Sequence, residues 1–362
     1  MTEKYGSITR FVPASLMPLA IRLRGTAFGR AYTQRRLRGV AGEVMWQIRC
    51  VRENVRRAQL RRLDEAKRGE LAAKLAESDS GFDVKISVMC LSRRIGNRDS
   101  NLPRMLNGLL ATADRPDCIE VLVKVDLDDD LPYYLRLKRR YSGKLALCII
   151  ATERRRGPAD MHHFYEQLLA HCAPSAGIVF IASDDGVFVH RGWDADVLAA
   201  RKDAVSDLFV GGELPFEQVV SLQGPVQAPL APRLLYQYRV NNYPFISIPL
   251  LRLIGETVQC MKGWTPFGSS MGVDLFVSAV IATVWEEYSV SIYIQRDRLI
   301  ERTGVVSYLF TPERDRTRTE TLMDIMSATH RGVRQQIAER IIHVRDMEAY
   351  ARVEPAAGRR PA

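Results

Sequence analysis

Between residues 85 and 182 short apolar runs alternate with amphipathic ones, and no other property of the chain restricts its fold as strongly. Residues 85–91, 119–125, 145–151 and 178–182 are rich in Val, Ile and Leu, while 102–113, 131–141 and 159–172 repeat apolar residues every three or four positions. Short continuous apolar runs predict strands buried on both faces. Their alternation with helices predicts an α/β fold with a mainly parallel sheet flanked by helices. Parallel strands share one carboxyl-end rim, where ligands of such sheets collect.

Each strand end carries polar residues. Ser92, Arg93 and Arg94 follow the first, Asp126, Asp128, Asp129 and Asp130 the second, and Asp184 and Asp185 the fourth. Two adjacent carboxylates after a buried strand can hold a divalent cation on a phosphate; Asp-Asp-Gly is equally a common turn sequence. The run Asp126-Leu-Asp128-Asp-Asp130 is no calcium loop, because Leu131 and Leu137 stand where such a loop needs Gly and Glu. Asp126 reads as a strand-end carboxylate facing a ligand, able to accept from a base N–H or ribose hydroxyls. The later aspartates suit the first turn of the next helix.

The rest of the chain has a different texture. The net charge of +10 is concentrated in residues 1–80, where 17 Lys and Arg against 8 Asp and Glu leave +9. Residues 43–76 predict one long helix with an apolar stripe and arginines on its other faces. That basic arm is either a solvated helix packed on the body or a surface for an anionic membrane or a partner, with residues 20–68 carrying the charge. Aromatics are not interleaved with its arginines, which argues against nucleic acid. Residues 201–246, rich in Pro and Gly, read as an excursion or lid. Helices are expected near 250–254 and 275–285, a strand at 290–295, and one or two amphipathic helices over 319–349 before a fraying tail. Cys50, Cys90, Cys118, Cys148, Cys172 and Cys260 are too scattered for a zinc site or a disulfide framework, which suits a reducing compartment. No apolar run reaches the length of a membrane span, and residues 11–21 lack the order of a secretory signal.

The order of Lys85-Ile-Ser-Val-Met-Cys-Leu-Ser92-Arg93-Arg94, Glu120-Val-Leu-Val-Lys-Val-Asp126, Gly157 before a helix, and Phe180-Ile-Ala-Ser-Asp184-Asp185 resembles the nucleotide-sugar half of a GT-A glycosyltransferase. It is most similar to family 2 and its bacterial relatives, over about residues 85–300. The resemblance implies a GT-A-like (Rossmann-like) domain over residues 81–310, its nucleotide-sugar half at 81–200 and acceptor half at 201–310. The basic helical arm (1–80) and C-terminal helices (311–362) flank it. The implied activity is transfer of a sugar from a nucleoside diphosphate sugar to a glycan or lipid-linked acceptor, dependent on Mn²⁺ or Mg²⁺ and inverting. A cytoplasmic enzyme at the inner membrane face, working in surface polysaccharide or glycolipid synthesis, fits that picture.

By position in the motif, Ser92, Arg93, Arg94, Asp126, Gly157 and Asp184 bind the nucleotide sugar, and Asp185 with Asp184 holds the metal. Ser183 replaces the first acid of the family's D-x-D motif. Ala159-Asp-Met-His162-His163 stands where the family often has Ala-Arg-Asn, so the two histidines either contact the diphosphate or are simply packed or solvated. Trp193 offers a flat face to the donor pocket or pins a surface turn as a buried side chain. The loop 263–272, with its glycines and aromatics, suits an acceptor pocket. Asp274 after it matches the family's general base or is a helix N-cap, with Glu286 and Glu287 as lesser candidates. Two other classes stay open: a nucleotidyltransferase on a similar sheet, and a non-catalytic scaffold that keeps the fold.

Overall fold

The computed structural model describes residues 65–77, 81–93, 101–155, 157–184, 186–204, 206–212, 243–269, 272–295, 299–302, 324 and 327–357. Most of the basic arm, Arg94, Asp185, residues 213–242 and the tail beyond 357 lie outside the described residues. The four apolar runs become β1 (Ile86–Leu91), β2 (Ile119–Asp126), β3 (Ala146–Thr152) and β4 (Ile178–Ile181). β1 is central, pairing in parallel with β2 on one side and β4 on the other, while β2 pairs in parallel with β3. The α/β expectation with a mainly parallel sheet is therefore met.

Three short strands extend the sheet: β6 (Val210–Gly212), β7 (Phe245–Ser247) and β8 (Tyr293–Gln295), giving the order β3-β2-β1-β4-β7-β6-β8. β7 is antiparallel to both β4 and β6, and β8 runs parallel to β6. β5 (Gly186–Phe188) and β9 (Ile300–Arg302) pair separately. β6 and the start of β7 lie within residues 201–246, the segment expected to be an excursion, and they belong to the main sheet. Three residues are too few to show a period, and the neighbouring Pro and Gly read as loop.

Side chains alternate across the strands and feed two cores. Val88, Cys90, Val123 and Phe180 face α2 (Leu102–Thr112) and α3 (Leu131–Tyr141). Met89, Leu122, Val179 and Ile181 face α4 (Met161–Leu169), α6 (Ile248–Val258) and α7 (Val273–Tyr288). Each fully buried aliphatic side chain stabilises the fold by about 1.5–3 kcal/mol relative to leaving it in water. Among the described C-terminal residues, α8 (Ala328–Ala357) is a single long helix, packed on α6 and α7 through Val333, Ile337 and Ile341. Cys90, Cys118 and Cys148 are buried free thiols. Among the described residues no helix is long and apolar enough to cross a membrane.

The helices start and stop for local reasons. Asp130 caps α3, its side chain accepting from the Tyr133 N–H at 3.2 Å, as the aspartates after β2 suggest. α1 (Glu65–Ala76), the last three turns of the long helix expected over 43–76, ends where the buried Lys138 ammonium of α3 donates to the carbonyls of Lys74 at 3.1 Å and Leu75 at 3.0 Å. A cation at a helix C-terminus answers carbonyls that lack a partner within the helix. Leu75 is fully buried, so residues 65–76 belong to the packed body.

Glu120 is the exception to the apolar pattern of β2. It is 3% exposed, accepting from Ser87 Oγ at 2.5 Å and from the Ala173 N–H at 2.7 Å. Burial raises its pKa above 4.5 against the opposing pull of those two bonds. With the folded pKa above the unfolded one, rising pH first ionises the unfolded chain while the folded protein keeps its proton, so stability falls across that window. Glu120→Gln keeps an acceptor and carries no proton to lose. Its urea midpoint is expected to gain on the wild type as the pH rises from about 4 to about 8, and a constant difference would contradict the assignment.

Candidate functional site

The parallel register carries the carboxyl ends of β1, β2 and β4 to one rim. Met89 of β1 lies opposite Ile181 of β4, and Leu91 lies opposite Lys124 of β2. Three residues beyond the first of these pairs, Ser92 Oγ donates to Asp184 Oδ2 at 3.0 Å. The Ser92 N–H donates to the Lys124 carbonyl at 3.0 Å, so the serine is pinned between both neighbouring strands. The turn and ligand readings of the Asp-Asp-Gly sequence are compatible. Gly186 N–H closes a four-residue turn on Ser183 O at 3.0 Å, and that turn presents Asp184 to Ser92. Gly186 has to be small: a Cβ there would stand 2.8 Å from Ile300 Cγ2.

Asp126 closes β2 on the face turned toward α4. Its carboxylate is paired with Lys124 two residues earlier on the same face, and the two side chains are 13% and 5% exposed. Lys124 in turn lies 4.0 Å from the centre of the Phe164 ring of α4, a cation over a π face. The sequence contains this pair as an i,i+2 spacing on a strand, and the apolar content of the strand hides it. Arg93 is partly buried beside Ser92, and Gly157 opens the short turn Gly157–Asp160 that leads from β3 into α4. Arg94 and Asp185 are outside the described residues.

Asp274 lies in the first turn of α7, where the helix dipole favours a negative charge. It is not the N-cap; Gly272 takes that position, and the Phe276 N–H bonds to its carbonyl at 2.8 Å. Tyr165 of α4 relates Asp274 to the strand ends. Its buried hydroxyl donates to the Ala182 carbonyl at 3.4 Å. Burial raises its pKa well above the ordinary phenol range, and the charges of Cys90, Asp274, Tyr243 and Asp184 add to this, so the phenol stays protonated. The charges of Asp184 and Asp274, from different halves of the chain, thus both act on this one phenol.

The loop before α7 is a closed turn. Thr265 and Gly268 exchange backbone hydrogen bonds at 2.9 and 3.0 Å, and Thr265 Oγ1 reaches the His162 carbonyl at 3.4 Å. Its aromatics pack on the body, Phe267 fully buried 5.6 Å from Tyr165 and Trp264 tilted against His330 with ring centres 4.3 Å apart. Both anchor the loop on the core, Phe267 fully buried and Trp264 partly exposed. His330, which the sequence did not single out, is 1% exposed, with Nε2 3.0 Å from both Asp324 Oδ2 and Ser269 Oγ. Burial lowers its pKa against the pull of Asp324, favouring the neutral ring.

Two expectations need correction. Trp193 is not at the edge of a ligand pocket. It is fully buried, 4.5 Å from Phe188 and 5.5 Å from Phe180, at the start of α5 (Trp193–Asp203). Gly192, at φ 77°, turns the chain inward there, and Asp194 locks the turn by accepting from the N–H groups of Asp114 at 2.9 Å and Arg115 at 2.7 Å. Of the histidine pair, His162 is 4% exposed and packed under the 263–272 loop, so it presents no open face to a diphosphate. His163 is partly exposed beside Glu166 at 3.4 Å. Among the described residues no three His, Cys, Asp or Glu side chains gather as a metal site.

No protein-family model and no curated protein matches the chain in sequence. Several solved structures are similar to it. One is Staphylococcus aureus TarS 1-349, at 17% identity and TM-score 0.37, with 54% of each chain covered. Another is the mannosyltransferase PcManGT from Pyrobaculum calidifontis in complex with GDP-Man and Mn²⁺, at 15% identity and TM-score 0.44, covering 82% of this chain and 84% of that one. A third is 4-diphosphocytidyl-2C-methyl-D-erythritol synthase from Anaerococcus prevotii, at 11% identity and TM-score 0.38, covering 67% and 97%. The chain spans between 54% and 59% of the length of the first two TarS chains it matches.

Trp193→Ala separates core from pocket. It is expected to cost about 3–5 kcal/mol of stability, as large core truncations do, measured by chemical denaturation. Trp193→Phe, which keeps an aromatic ring, should leave nucleotide affinity unchanged; a loss of affinity with little loss of stability would restore the pocket reading.

Proposed function

We propose that the chain is a glycosyltransferase that moves a sugar from a nucleoside diphosphate donor to an acceptor hydroxyl. The observation that carries this reading is the Ser92–Asp184 hydrogen bond, which joins the carboxyl ends of two adjacent parallel strands where such sheets bind ligands. The motif order along the sequence supports it independently.

In this reading Asp184, with Asp185 next to it in sequence, holds Mg²⁺ or Mn²⁺. The donor set is oxygen, which suits a hard cation that takes one or two carboxylates and completes its shell with phosphate oxygens. The bound cation supplies charge compensation to the departing diphosphate. Asp126 accepts from the nucleoside, and the ion pair with Lys124 holds that carboxylate in one orientation. Arg93 follows β1 at this rim and, with Arg94 next to it in sequence, is read as donating to the phosphates, with Gly157 in the turn after β3 allowing close approach. Asp274 accepts the proton of the acceptor hydroxyl, and attack from the face opposite the leaving group inverts the anomeric centre. Tyr165, buried and kept protonated, is a neutral group that feels the charges of both Asp184 and Asp274. The glycosyltransferase core is read over residues 81–310. Residues 20–68 are read as contacting an anionic inner membrane surface, where a lipid-linked acceptor of a surface polysaccharide or glycolipid would be found.

Calorimetry with UDP, GDP, CDP and ADP, with and without Mn²⁺, identifies the base, and donor turnover with that nucleotide's sugars follows. Asp274→Asn should lower transfer by about 10²–10⁴-fold, the usual contribution of a general base, with donor affinity kept. Asp184→Asn should abolish the Mn²⁺-dependent gain in nucleotide affinity. Pyrophosphate release from a nucleoside triphosphate would instead identify a nucleotidyltransferase, and absence of binding to all four nucleotides would favour a scaffold.

A further inference from the structure

The first turn of α8 reaches the loop that leads into α7 through one buried imidazole. His330 is placed by the start of its helix, its N–H donating to Ser327 Oγ at 3.3 Å and the Arg331 N–H to the Ser327 carbonyl at 3.0 Å. Val333, Ile337 and Ile341 seat the same helix in the core. From this fixed base His330 Nε2 lies 3.0 Å from Ser269 Oγ and 3.0 Å from Asp324 Oδ2. Its ring centre is 4.3 Å from that of Trp264 and 6.4 Å, edge to face, from that of Phe276, and Trp264 and Phe276 meet each other at 5.9 Å. Phe276 follows Asp274 by two residues in α7, and a Cβ on Gly268 would stand 3.0 Å from its Cγ, so loop and helix start touch.

One tautomer gives every contact its hydrogen. Nδ1 is buried and has no hydrogen-bond partner among the described residues. A proton there would be an unanswered buried donor and would leave a bare Nε2 facing a carboxylate. With the proton on Nε2, that N–H is shared between Asp324 Oδ2 and Ser269 Oγ, as three-centre bonds are. The Ser269 hydroxyl hydrogen turns to the same Asp324 oxygen at 3.4 Å. Asp324 does not need the imidazole for its own sake, since its side chain is 51% exposed and water can serve it. What the imidazole adds is a tie between a rigid helix and the loop before Asp274.

We propose that His330 is a positioning residue for Asp274: through Ser269 and Phe276 it holds the Thr265–Gly268 turn and the start of α7 against α8, and so fixes the direction of the Asp274 carboxylate. This rests on reading Asp274 as the general base. His330 acts only through the loop and the helix start. A displacement of about 1 Å at a reacting group can cost on the order of 10²-fold in rate.

Two measurements on the full chain test this. The first is hydrogen exchange followed by mass spectrometry. The N–H groups of Thr265, Phe267, Gly268 and Phe276 are hydrogen-bonded in the turn and at the helix start. In His330→Leu, which keeps an apolar group of about the same size, they are expected to exchange about tenfold faster while β1 to β4 keep their protection. The second is release of nucleoside diphosphate, at saturating donor, from the nucleotide sugar that the wild type consumes fastest. His330→Leu should lower it about 10–100-fold with nucleoside diphosphate affinity kept, and His330→Gln, whose amide N–H can stand near the Nε2 position, should recover most of the loss. In an Asp274→Asn background His330→Leu should cost nothing further, because a residue that directs that carboxylate has nothing left to direct. Wild-type exchange or turnover in His330→Leu, no recovery in His330→Gln, or losses that multiply in the double variant overturn the proposal. If His330→Leu does not fold, Ser269→Ala removes the tie and leaves the ring packing; it should shift both readouts the same way by about threefold, and no change overturns the proposal. Asp274→Asn distinguishes the two levels. If it keeps wild-type turnover, or the wild type consumes no nucleotide sugar, the reading of Asp274 falls and this inference falls with it; if it loses turnover while His330→Leu does not, only the inference fails.

Discussion

The in-register parallel pairing of β1 with both β2 and β4 is the constraint on which the rest depends. Because the three strands point the same way and end within a residue or two of one another, Ser92, Asp126 and Asp184 reach the rim together although 92 positions separate the first from the last. Burial on both faces maintains this register. Slipping a strand by one residue would exchange the side chains of the two cores, sending Met89 toward Tyr134 and Cys90 toward Tyr165.

Polar side chains inside this sheet are each given a partner, which limits what can stand at the rim. Glu120 has Ser87 and the Ala173 N–H, Lys124 has Asp126 and the Phe164 ring, and Lys138 has the end of α1. Removing one partner of the Lys124–Asp126 pair would leave a buried charge alone, at a cost of the order of ~3–5 kcal/mol. The same economy holds at the site. Asp184 meets a serine, Asp129 a tyrosine and Asp274 the positive end of a helix.

The elements carrying the longest apolar periods were legible to within a few residues. α3 was expected over 131–141 and is found there, and β1 to β4 differ from their expected bounds by one residue at most ends. β6 and β7 were not legible, because strands of three residues gain their identity from neighbours in the sheet and carry no period of their own. Trp193 and His162 show another limit: an aromatic or imidazole beside a glycine or a turn can face either way. Burial on the finished core decided for the interior in both cases.

By itself the sequence determined the α/β class, the parallel strands and the rim to which Ser92, Asp126 and Asp184 belong, since hydrophobic period and strand polarity are local properties that survive without knowledge of contacts. Only the tertiary structure decided which groups work together there. Ser92 meets Asp184 rather than standing alone, Lys124 serves Asp126, and Tyr134, to the sequence one more apolar-face residue of α3, donates to Asp129. Hydrogen-bond partners far apart in the chain are selected by distances of about 3 Å between side-chain atoms, and no local pattern of residues encodes such distances.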